Sequence, residues 1–461
     1  MKLNVLIMAA GLGTRMKSKK AKVLHKLAGQ PLVNHVFKTA SSLLPAKVVV
    51  VVGYQAEIVQ EVLCQFHQKL SATTAPILDF ATQSEQLGTG HAVMMAREHF
   101  AKDVGSLIVL SGDVPLVSVD CLKQLVQLHE QANAAATVLT THLNNPTGYG
   151  RIVRNSEGYF EQIVEDRDAT SLQREIKEIN SGIYCFNLSL LFDALSKLSP
   201  VNAQGEYYLT DTLSILRKEG HKIAVIMSAD SEDVLGINTR SELASLEKRL
   251  RKRKVDRLMA SGVTFLDPDS AFIDDEVVIG CDTVIYPQVI IEGATLIGEG
   301  CTIGMGVHIS SSSLGDGVTV RNHSIVVDSQ LANRASVGPF AHLRMNTHIA
   351  ENATIGNFVE IKNSSIGKGT KAMHLSYVGD ATIGNKVNIG AGTVTCNYDG
   401  KQKHRTVIED NVKIGSDTML VAPVKVGQGS MTGAGSVVTK DVAENSLVVG
   451  VPAVVKKKLD E

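Results

Sequence analysis

Hydrophobic residues follow one pattern before about residue 262 and another pattern after it. In the first part, short apolar runs rich in β-branched residues alternate with amphipathic stretches of helical period. The predicted strands are Val5–Met8, Val48–Val52, Leu107–Leu110, Ala136–Thr140 and Ile223–Met227. The predicted helices include Val93–His99, Val119–Gln131 and Leu190–Leu198. Buried strands separated by helices predict an α/β domain with a mostly parallel sheet covered by helices on both faces.

In the second part, an aliphatic residue returns at every sixth position. The strictest run is Ile279, Ile285, Ile291, Ile297, Ile303 and Ile309. Shorter runs in other phases are Ile349, Ile355, Ile361; Ile383, Ile389; and Ile408, Ile414, Leu420, Val426. Such spacing predicts a parallel β-helix with three faces, in which each short strand points one side chain inward, over about ten coils of about 18 residues. A step of five residues, as from Ile361 to Ile366, is interpreted as a tight corner.

A basic helix is predicted between the two parts, over Thr239–Met259. Its run of lysines and arginines from Lys248 to Arg257 favours a solvated connecting face over a nucleic-acid site, because no aromatic residues interleave with the charges. The pattern therefore predicts three segments: a first domain over residues 1–238, a helical linker over 239–262 and a β-helix domain over 263–461.

Composition agrees with a change of architecture. Of the 39 glycines, 24 lie after residue 261, and tryptophan is absent. A narrow coil that turns often needs small corner residues and has little room for aromatic rings. The formal net charge of −1 argues against an electrostatic nucleic-acid or membrane binder. Six scattered cysteines and no apolar stretch near the ~20 residues of a membrane span predict free thiols in a soluble, cytoplasmic protein.

Candidate binding residues follow the predicted strands of the first part, where ligands of α/β sheets bind. The loop Gly11–Met16, with Lys22 beyond it, combines glycines that let a phosphate chain come close with cations that neutralise it. It matches neither the dinucleotide fingerprint nor the P-loop, so an ordinary strand-to-helix turn is the alternative. Amide side chains in Gln83–His91 could read a base edge.

Asp113 follows the predicted strand Leu107–Leu110, within the string Ser111–Leu116. A carboxylate at the carboxyl end of a strand is well placed to hold Mg²⁺ against phosphates. The alternative is a turn or helix-capping aspartate.

In the β-helix, two segments are interpreted as departures from the repeat. The first is Gly390–Gly400 with the basic segment Lys401–Arg405, predicted to leave the coil as an excursion into solvent. The second is Lys371–Asp380, which carries His374 and Tyr377; a solvated or structural histidine is the alternative for His374.

These strings resemble the sugar-phosphate nucleotidyltransferases. The resemblance rests on Gly11-x-Gly-Thr-Arg-Met16, Gln86-Leu-Gly-Thr-Gly-His91 and Gly112-Asp-Val-Pro-Leu116. Four further strings narrow it to the bifunctional enzymes that acetylate glucosamine-1-phosphate and uridylylate the product to UDP-N-acetylglucosamine: Pro146–Arg151, Ile163–Glu165, Glu178–Asn180 and Gly205–Tyr208. The resemblance covers nearly the whole chain. It implies an α/β nucleotidyltransferase domain with a Rossmann-like sheet, followed by a left-handed parallel β-helix of hexapeptide repeats.

For the first domain, the resemblance implies that UTP and UDP-N-acetylglucosamine bind Ala9, Ala10, Gly11, Gly13, Arg15, Lys22, Gln83, Gly88, Thr89, Gly150, Glu165 and Asn180. Within this set, the loop glycines and cations would hold the triphosphate, the residues from 83 to 89 the uracil, and the last three the sugar. Asp113 and Asn238 would bind Mg²⁺. The nucleophile is already an anionic phosphate, so alignment and charge neutralisation suffice for the reaction.

For the β-helix, the resemblance implies an acetyltransferase that uses acetyl-CoA. His374 would be the general base, a role that suits an imidazole because the attacking amine must lose a proton near neutral pH. Glucosamine-1-phosphate would bind Arg344, Lys362, Tyr377 and Asn388. Acetyl-CoA would contact Ala391, Asn397, Tyr398, Ser416 and Ala434. The resemblance also implies a homotrimer with active sites between subunits.

Three positions depart from the family pattern. Ala21 stands where proline is usual, which predicts a looser loop, and Ser111 stands where tyrosine is frequent, which predicts a lost packing contact. No arginine follows Arg405, although close relatives use one near the C-terminus to hold coenzyme A. Lys440 and Lys456–Lys458 are the candidate replacements.

Two narrower functions stay open from the sequence. In one, the chain is only a sugar-1-phosphate nucleotidyltransferase and the β-helix is a trimerisation or regulatory scaffold. In the other, the chain binds nucleotide sugars or partner proteins without catalysis. The joint presence of Arg15, Lys22, Asp113 and Asn238 argues against a pure binder, and the acetyltransferase set around His374 argues against a mere scaffold.

Overall fold

The structure, a computed structural model, describes residues 2–70 and 75–458. The chain divides into two compact units between Leu246 and Glu247. Within the described ranges, every helix is too short or too polar to span a lipid bilayer. All six cysteines are described and are free thiols, as the sequence predicts.

The first unit is built on a nine-stranded sheet. The strands of this unit, including a small separate hairpin of β2 and β3, are Leu3–Ala9 (β1), Lys26–Leu27 (β2), Gln30–Pro31 (β3), Lys47–Val52 (β4), Ile77–Thr82 (β5), Ser106–Ser111 (β6), Ala136–His142 (β7), Arg151–Arg154 (β8), Phe160–Val164 (β9), Glu178–Asn187 (β10) and Ile223–Met227 (β11). The helices are Leu32–Ser41 (α1), Ala56–Gln68 (α2), Thr89–Met95 (α3), Val119–Gln131 (α4), Ser171–Arg174 (α5), Leu188–Leu195 (α6), Asp211–Lys218 (α7) and Arg240–Ala260 (α8). All five predicted strands are present.

The sheet runs in the order β11-β7-β10-β6-β1-β4-β5, and β8 and β9 extend it beside β10. Neighbours along the main order are parallel except at β10, which is antiparallel to both β6 and β7. Side chains of β1 alternate between two hydrophobic cores, with Val5 and Ile7 in one and Leu6 in the other. Helices therefore cover both faces, and the predicted α/β class is confirmed.

Two of the predicted helices differ from those observed. The stretch predicted as Val93–His99 is split, because α3 ends at Met95 and a short 3₁₀ turn follows over Arg97–Phe100. The helix predicted as Leu190–Leu198 begins earlier, as α6. Asn187 caps it, and its side-chain oxygen accepts from the Leu190 amide at 3.3 Å. The predicted Val119–Gln131 matches α4.

The second unit is a left-handed parallel β-helix with three faces. Strands of the first face are Thr264–Phe265, Val284–Ile285, Thr302–Ile303, Thr319–Val320, Ser336–Val337, Asn388–Ile389, Lys413–Ile414, Met431–Thr432 and Ser446–Val449. Strands of the second face are Phe272–Ile273, Ile290–Glu292, His308–Ser310, Ile325–Val327, His342–Arg344, Val394–Cys396, Met419–Val421 and Val437–Val438. Strands of the third face are Val278–Ile279, Leu296–Ile297, Ser313–Leu314, Ser329–Leu331, Thr347–Ile349, Ser365–Ile366, Ala381–Ile383, Thr406–Ile408 and Val424–Val426.

Two longer strands, Thr354–Lys362 and Lys371–Gly379, pass through the first and second faces in one run, and Val454–Lys458 adds an antiparallel strand beside Ser446–Val449. The six-residue repeat places one buried side chain on each face in turn, as the sequence predicts. Ile279, Ile285 and Ile291 fall on the third, first and second faces in turn, and all are buried. The five-residue step from Ile361 to Ile366 also keeps both side chains inside.

The two predicted departures from the repeat are partly wrong. Lys371–Asp380 stays in the coil, since Ala372 and Val378 point inward six residues apart. The excursion begins only at Asn397, because Val394–Cys396 still pairs with the strand above it and the coil resumes at Thr406. Buried Thr395 occupies the inward position, and this polar residue hides the repeat from a search for aliphatic side chains.

Part of the basic run on α8 packs against the first coil rather than facing solvent. The Arg251 guanidinium lies 3.8 Å from the centre of the Phe272 ring. The Lys254 ammonium donates to the carbonyls of Asp275 at 2.8 Å and Val277 at 2.6 Å. Long basic side chains can bury their stems in this way while their charges remain hydrogen-bonded.

Candidate active sites

A cavity of about 400 Å³ lies at the carboxyl ends of β1, β5 and β6. Eight of the predicted nucleotide-binding residues line it: Ala9, Ala10, Gly11, Gly13, Lys22, Gln83, Gly88 and Thr89. The cavity therefore brings together three loops that are far apart in the sequence.

The loop after β1 packs tightly against the residues that follow it. Gly13 has a φ of 62°, and a Cβ placed there would lie 2.6 Å from the Lys22 Cβ, so only glycine fits without displacing the lysine. Ala21 is held by a hydrogen bond, and the looser loop predicted at this residue stays a prediction. Its backbone amide, which proline would lack, donates to Gln55 Oε1 at 2.8 Å.

Gln83 and Thr89 are fixed by hydrogen bonds from both sides of the cavity. Gln83 is buried, and its Nε2 donates to the Gly88 carbonyl at 3.1 Å. Thr89 begins α3, and its hydroxyl accepts from the Leu209 amide at 3.1 Å. The Gly88 backbone has a φ of 103°, and a Cβ there would lie 2.7 Å from the Tyr207 carbonyl oxygen. The loop therefore requires glycine at this position.

Arg15, Lys22, Asp113 and Asn238 form one charged cluster. The Lys22 ammonium pairs with Asp113 Oδ2 and lies 3.2 Å from Asn238 Oδ1. Arg15 Nη2 donates to the same Asn238 oxygen at 2.8 Å. Two oxygens from distant segments thus converge on one positive charge.

Ser111 supports this cluster. Its hydroxyl donates to Asp113 Oδ1 at 2.6 Å, so Ser111 makes a polar contact to the carboxylate. Burial alone would raise the pKa of Asp113, but the charge and hydrogen bond of Lys22 and the bond from Ser111 outweigh it and hold that pKa below its ordinary value. Asp113 is therefore a carboxylate at neutral pH.

A second cavity of about 200 Å³ adjoins the first and holds the predicted sugar-binding residues Gly150, Glu165 and Asn180. Asn180 Nδ2 donates to the Tyr184 hydroxyl at 2.7 Å, and Thr210 donates to Glu165 Oε1 at 3.2 Å. Burial raises the pKa of Glu165. The cavity is lined by groups that can both donate to and accept from hydroxyl groups.

The two cavities meet at shared residues. Met8, Thr89, Ser111 and Asp113 line both of them. A nucleotide in one cavity and a sugar phosphate in the other would therefore face each other across the charged cluster.

In the second unit, four predicted residues come together on and beside the second face of the β-helix. Arg344 and Lys362 occupy equivalent positions on neighbouring coils. Lys362, buried, pairs with Asp380 Oδ2 at 3.1 Å, and Asn397 Nδ2 donates to the same oxygen at 2.5 Å. Asn397 Nδ2 also lies 3.5 Å from the Tyr377 hydroxyl.

Sequence reasoning missed Lys403, which the excursion brings to this cluster. Its contact with Lys362 and the charges of Lys362 and Arg344 lower the pKa of the Lys403 ammonium, because like charges repel. Lys362 and Lys403 lie beside Asp380, while Arg344 pairs with Glu360 at 2.6 Å. Three cations against two carboxylates leave a net positive charge, which favours an anion. The signal in the sequence was the basic segment after Asn397, but only the fold shows which of its residues turns inward.

His374 lies at the corner between the first and second faces. Its Nδ1 lies 2.8 Å from Asn357 Oδ1, the residue at the equivalent position one coil earlier. An amide oxygen only accepts, so Nδ1 carries the proton and Nε2 presents its lone pair to solvent. Asn357 was also missed, since its sequence neighbours give no sign of this contact.

Ala391, Ser416 and Ala434 stack along the same corner as His374. Backbone hydrogen bonds join each of these coils to the one before it. The amides of Gly392, Asp417 and Gly435 donate to the carbonyls of Leu375, Ala391 and Ser416 at 2.8, 2.7 and 2.8 Å, respectively. Asn388 lies elsewhere: it is exposed on the first face, beside Lys371. Within one chain, Asn388 and Arg344 are therefore on different faces. Tyr398 is exposed on the excursion.

Comparison with known proteins places these two sites in transferase families. A family model described as nucleotidyl transferase matches residues 4–244, and one described as bacterial transferase hexapeptide (six repeats) matches residues 405–440. A solved UDP-glucose pyrophosphorylase in complex with UDP-glucose is 16% identical, with a TM-score of 0.44, over 55% of this chain and 100% of its own.

Curated relatives are similar to this chain over nearly its whole length. The bifunctional protein GlmU of Heliobacterium modesticaldum is 50% identical over 97% of this chain and 95% of its own length. That of Syntrophomonas wolfei is 48% identical over 97% of each chain. The chain belongs to the family of bifunctional GlmU proteins. It is an enzyme with nucleotidyltransferase and acyltransferase activities in UDP-N-acetylglucosamine synthesis, which confirms the predicted function over the scaffold and pure-binder alternatives.

Proposed function

We propose that the two adjoining cavities of the first unit are one uridylyl-transfer site, in a domain of residues 1–238. UTP occupies the larger cavity, with its uracil at Gln83, Gly88 and Thr89, and N-acetylglucosamine-1-phosphate occupies the smaller one. The observation that carries the proposal is the meeting of both cavities at Asp113, within the cluster of Lys22, Arg15 and Asn238.

The reaction needs alignment more than activation. A phosphate oxygen of the sugar phosphate attacks the α-phosphorus of UTP, the new P–O bond forms, and the bond to the β-phosphate breaks to release pyrophosphate. Arg15 and Lys22 neutralise the charge that accumulates on the phosphate oxygens. Asn180 and Glu165 hold the sugar hydroxyls and so fix the direction of attack.

The charged cluster fits Mg²⁺. Asp113 and Asn238 offer the oxygen atoms that this ion prefers, and both oxygens already converge on the Lys22 ammonium. In the part of the chain that the structure describes, no group of three His, Cys, Asp or Glu forms a cage for a metal. Mg²⁺ typically uses one or two protein oxygens together with substrate phosphates, as this pair would allow. Bound there, it would supply further neutralisation of phosphate charge.

For the acetyl transfer, the cation cluster of Arg344, Lys362 and Lys403 binds the phosphate of glucosamine-1-phosphate, with Tyr377 and Asn397 beside it. His374 Nε2 accepts the proton that the amine loses as its nitrogen attacks the thioester carbonyl. The C–N bond forms, the C–S bond breaks, and the proton passes to the departing thiolate of coenzyme A. The Ala391 amide stabilises the oxyanion.

The corner that carries His374 also offers an extended track for acetyl-CoA. Ala391, Ser416 and Ala434 follow it on the next three coils, which at about 4.8 Å per coil spans roughly 14 Å. That length suits an extended pantetheine arm with its thioester at His374. Lys440 and Lys456–Lys458, all exposed, remain the candidates for the positive charge that the family resemblance would expect from a C-terminal arginine.

We also infer a C₃ homotrimer of the β-helix domain, residues 263–461. Asn388 and Arg344 lie on different faces of one chain, so a second copy must complete the sugar-phosphate site. Phe340, Phe358 and Leu375 expose 49%, 57% and 65% of their surfaces on successive coils beside His374, which is a surface for another protomer. Residues 239–262 act as the linker. Free thiols and the nucleotide and acetyl-CoA substrates favour the cytoplasm.

Sedimentation equilibrium should give three times the 49.4 kDa chain mass. The double variant Phe340→Asp, Phe358→Asp should dissociate the trimer, because it buries charges at the interface, and should lose CoA release while retaining uridylyl transfer. A wild-type monomer with full CoA release would contradict the trimer.

Paired assays on one preparation test the function itself. With Mg²⁺, UTP and N-acetylglucosamine-1-phosphate, we expect UDP-N-acetylglucosamine and pyrophosphate. With acetyl-CoA and glucosamine-1-phosphate, we expect free CoA in a reaction that does not need UTP. Failure of the first assay would refute the proposed uridylyl site, and failure of the second would refute the proposed acetyl site. Glucose-1-phosphate in place of each sugar phosphate is the control for substrate selection.

A further inference from the structure

Arg151 is a buried cation beneath the sugar cavity that the mechanism above does not use. It opens β8, where it pairs in register with Val164 of β9 and Ile179 of β10. Only 2% of its surface is exposed, and it is among the largest fully buried side chains of the protein. An arginine in such a place calls for an explanation, since burying its charge costs free energy.

The guanidinium joins the two segments that hold the sugar-binding residues. Arg151 Nη1 donates to the Tyr149 carbonyl, and Nη2 donates to Asp166 Oδ1 at 2.9 Å. Tyr149 precedes Gly150, and Asp166 follows Glu165. The two segments that accept these hydrogen bonds therefore both contribute residues to the lining of the sugar cavity.

Gly150 and Glu165 face each other at close range. A Cβ added to Gly150 would lie 3.5 Å from Glu165 Oε1 and 3.5 Å from the Asn180 Cβ. The Asn180 amide also donates to the Gly150 carbonyl at 2.9 Å, which ties the third sugar-binding residue to the same segment. A small shift of either segment would therefore change the width of the cavity.

Stability alone does not account for the side chain. Arg151 Nε is buried without a hydrogen-bond partner among the described residues, so the group is incompletely satisfied. Buried ion pairs of this kind can often be replaced by apolar side chains with little loss of stability. What an apolar residue cannot supply is a bond to each of the two segments at once.

We propose that Arg151 is a positioning residue for the sugar phosphate. Its guanidinium fixes the segment before β8 to the segment after β9, so that Gly150, Glu165 and Asn180 keep the spacing that the substrate requires. It does not contact substrate. The proposal rests on the proposed uridylyl-transfer site and adds to it the element that sets the geometry of the sugar subsite.

Arg151→Met tests the proposal, because methionine fills much of the space and removes both hydrogen bonds. We expect the KM for N-acetylglucosamine-1-phosphate to rise about tenfold or more, since displacement by a fraction of an ångström weakens several hydrogen bonds together. The KM for UTP should stay within about twofold, since the uracil and triphosphate loops do not touch Arg151. CoA release should be unchanged, since its proposed site lies in the other unit. The unchanged KM for UTP, together with a wild-type thermal midpoint, reports that the first unit of the variant is folded.

Arg154→Met is the matched control. Arg154 ends the same strand and also pairs with a carboxylate, with Nε and Nη2 at 2.8 and 2.7 Å from the Glu178 oxygens, although its side chain is exposed where that of Arg151 is buried. Neither Arg154 nor Glu178 lines the sugar cavity. We expect no change in the KM for the sugar phosphate.

Asp166→Asn gives a second route should Arg151→Met fail to fold. It removes one acceptor of the guanidinium and should also raise the KM for N-acetylglucosamine-1-phosphate. In the double variant Arg151→Met, Asp166→Asn, this KM should be no higher than in the more affected single variant, because both substitutions remove one contact. An unchanged sugar KM in folded Arg151→Met or Asp166→Asn would overturn the proposal, as would an equal rise for UTP. Wild-type protein that is inactive with N-acetylglucosamine-1-phosphate would instead refute the proposed uridylyl site itself.

Discussion

Replacing His374 by alanine is expected to reduce CoA release by about 10²–10⁴-fold and to leave uridylyl transfer at the wild-type rate. The imidazole is the group at this corner that can take a proton from an attacking amine near neutral pH. Its hydrogen bond to Asn357 fixes the tautomer and leaves Nε2 as the base. Removal of the ring should leave acetyl-CoA and sugar phosphate bound, with water in place of the imidazole as proton acceptor.

A graded series separates the base from its surroundings. Asn357→Ala should lower kcat for acetyl transfer by less than His374→Ala, because the ring remains but can rotate and change tautomer. Asn357→Asp should move the acidic limb of the pH profile of that reaction to higher pH, because a carboxylate beside the ring stabilises the protonated form, which cannot act as the base. Neither variant should alter the KM for UTP.

The matched control is His348→Ala, a solvent-exposed histidine on the third face of the β-helix. It should leave both activities intact. Equal loss of uridylyl transfer in His374→Ala would contradict two independent sites, and retention of CoA release would show that another group is the base.

The fold of the β-helix could be predicted because its signal is local. Each coil repeats the same inward position, so Ile279, Ile285 and Ile291 already define three faces without knowledge of long-range contacts. The signal failed where a polar side chain took the inward position. Thr395 is buried like its aliphatic counterparts, and the excursion was therefore predicted to begin too early.

The α/β unit was predictable in part for the same reason. Each of β1, β4, β6, β7 and β11 contains a mostly apolar run rich in β-branched residues, as expected of buried parallel strands. β10 was not among the strands predicted, because it lies antiparallel between β6 and β7 and contains polar Asn180 and Ser181 where it borders the sugar cavity. Its irregular sequence reflects the site it serves.

The site residues likewise divide into those that the sequence predicts and those that only the fold shows. Positions just after strand ends, such as Gly11 and Asp113, follow from topology, because carboxyl ends of parallel strands meet at one edge. Contacts between coils do not follow from the sequence. Lys403 reaches Lys362 only because the excursion folds back, and Asn357 meets His374 only through the register of neighbouring coils.

The complementary experiment is Asp113→Asn, which should reduce uridylyl transfer by about 10³-fold or more while leaving CoA release unchanged. Asparagine keeps the shape of the side chain but removes the negative charge that faces Lys22 and the proposed metal. The Lys22 ammonium then lacks its carboxylate partner. Of the two side-chain oxygens that converge on it, from Asp113 and Asn238, neither carries a charge in the variant. Affinity for Mn²⁺ as a probe, followed by electron paramagnetic resonance, should fall in parallel.

Ser111→Ala should act in the same direction but more weakly, about three- to tenfold, because it removes one hydrogen bond to the carboxylate and no charge. A larger loss than in Asp113→Asn would be inconsistent with a supporting role.

Asp103→Asn distinguishes the proposed site from a general effect of losing a buried ion pair. Asp103 is likewise shielded and paired with lysines, at 2.6 Å from Lys2 Nζ and 3.1 Å from Lys47 Nζ, but it lies at the opposite end of β6, where the strand begins. Its variant should lower the thermal midpoint and leave kcat/KM and Mn²⁺ affinity unchanged. If Asp113→Asn resembled it, with a lower midpoint and nearly full activity, Asp113 would be a structural carboxylate. If Asp113→Asn alone loses activity and Mn²⁺ binding, the negative charge at the carboxyl end of β6 is required for the transfer reaction. This conclusion follows because both aspartates have shielded side chains and lysine partners, and they differ in position.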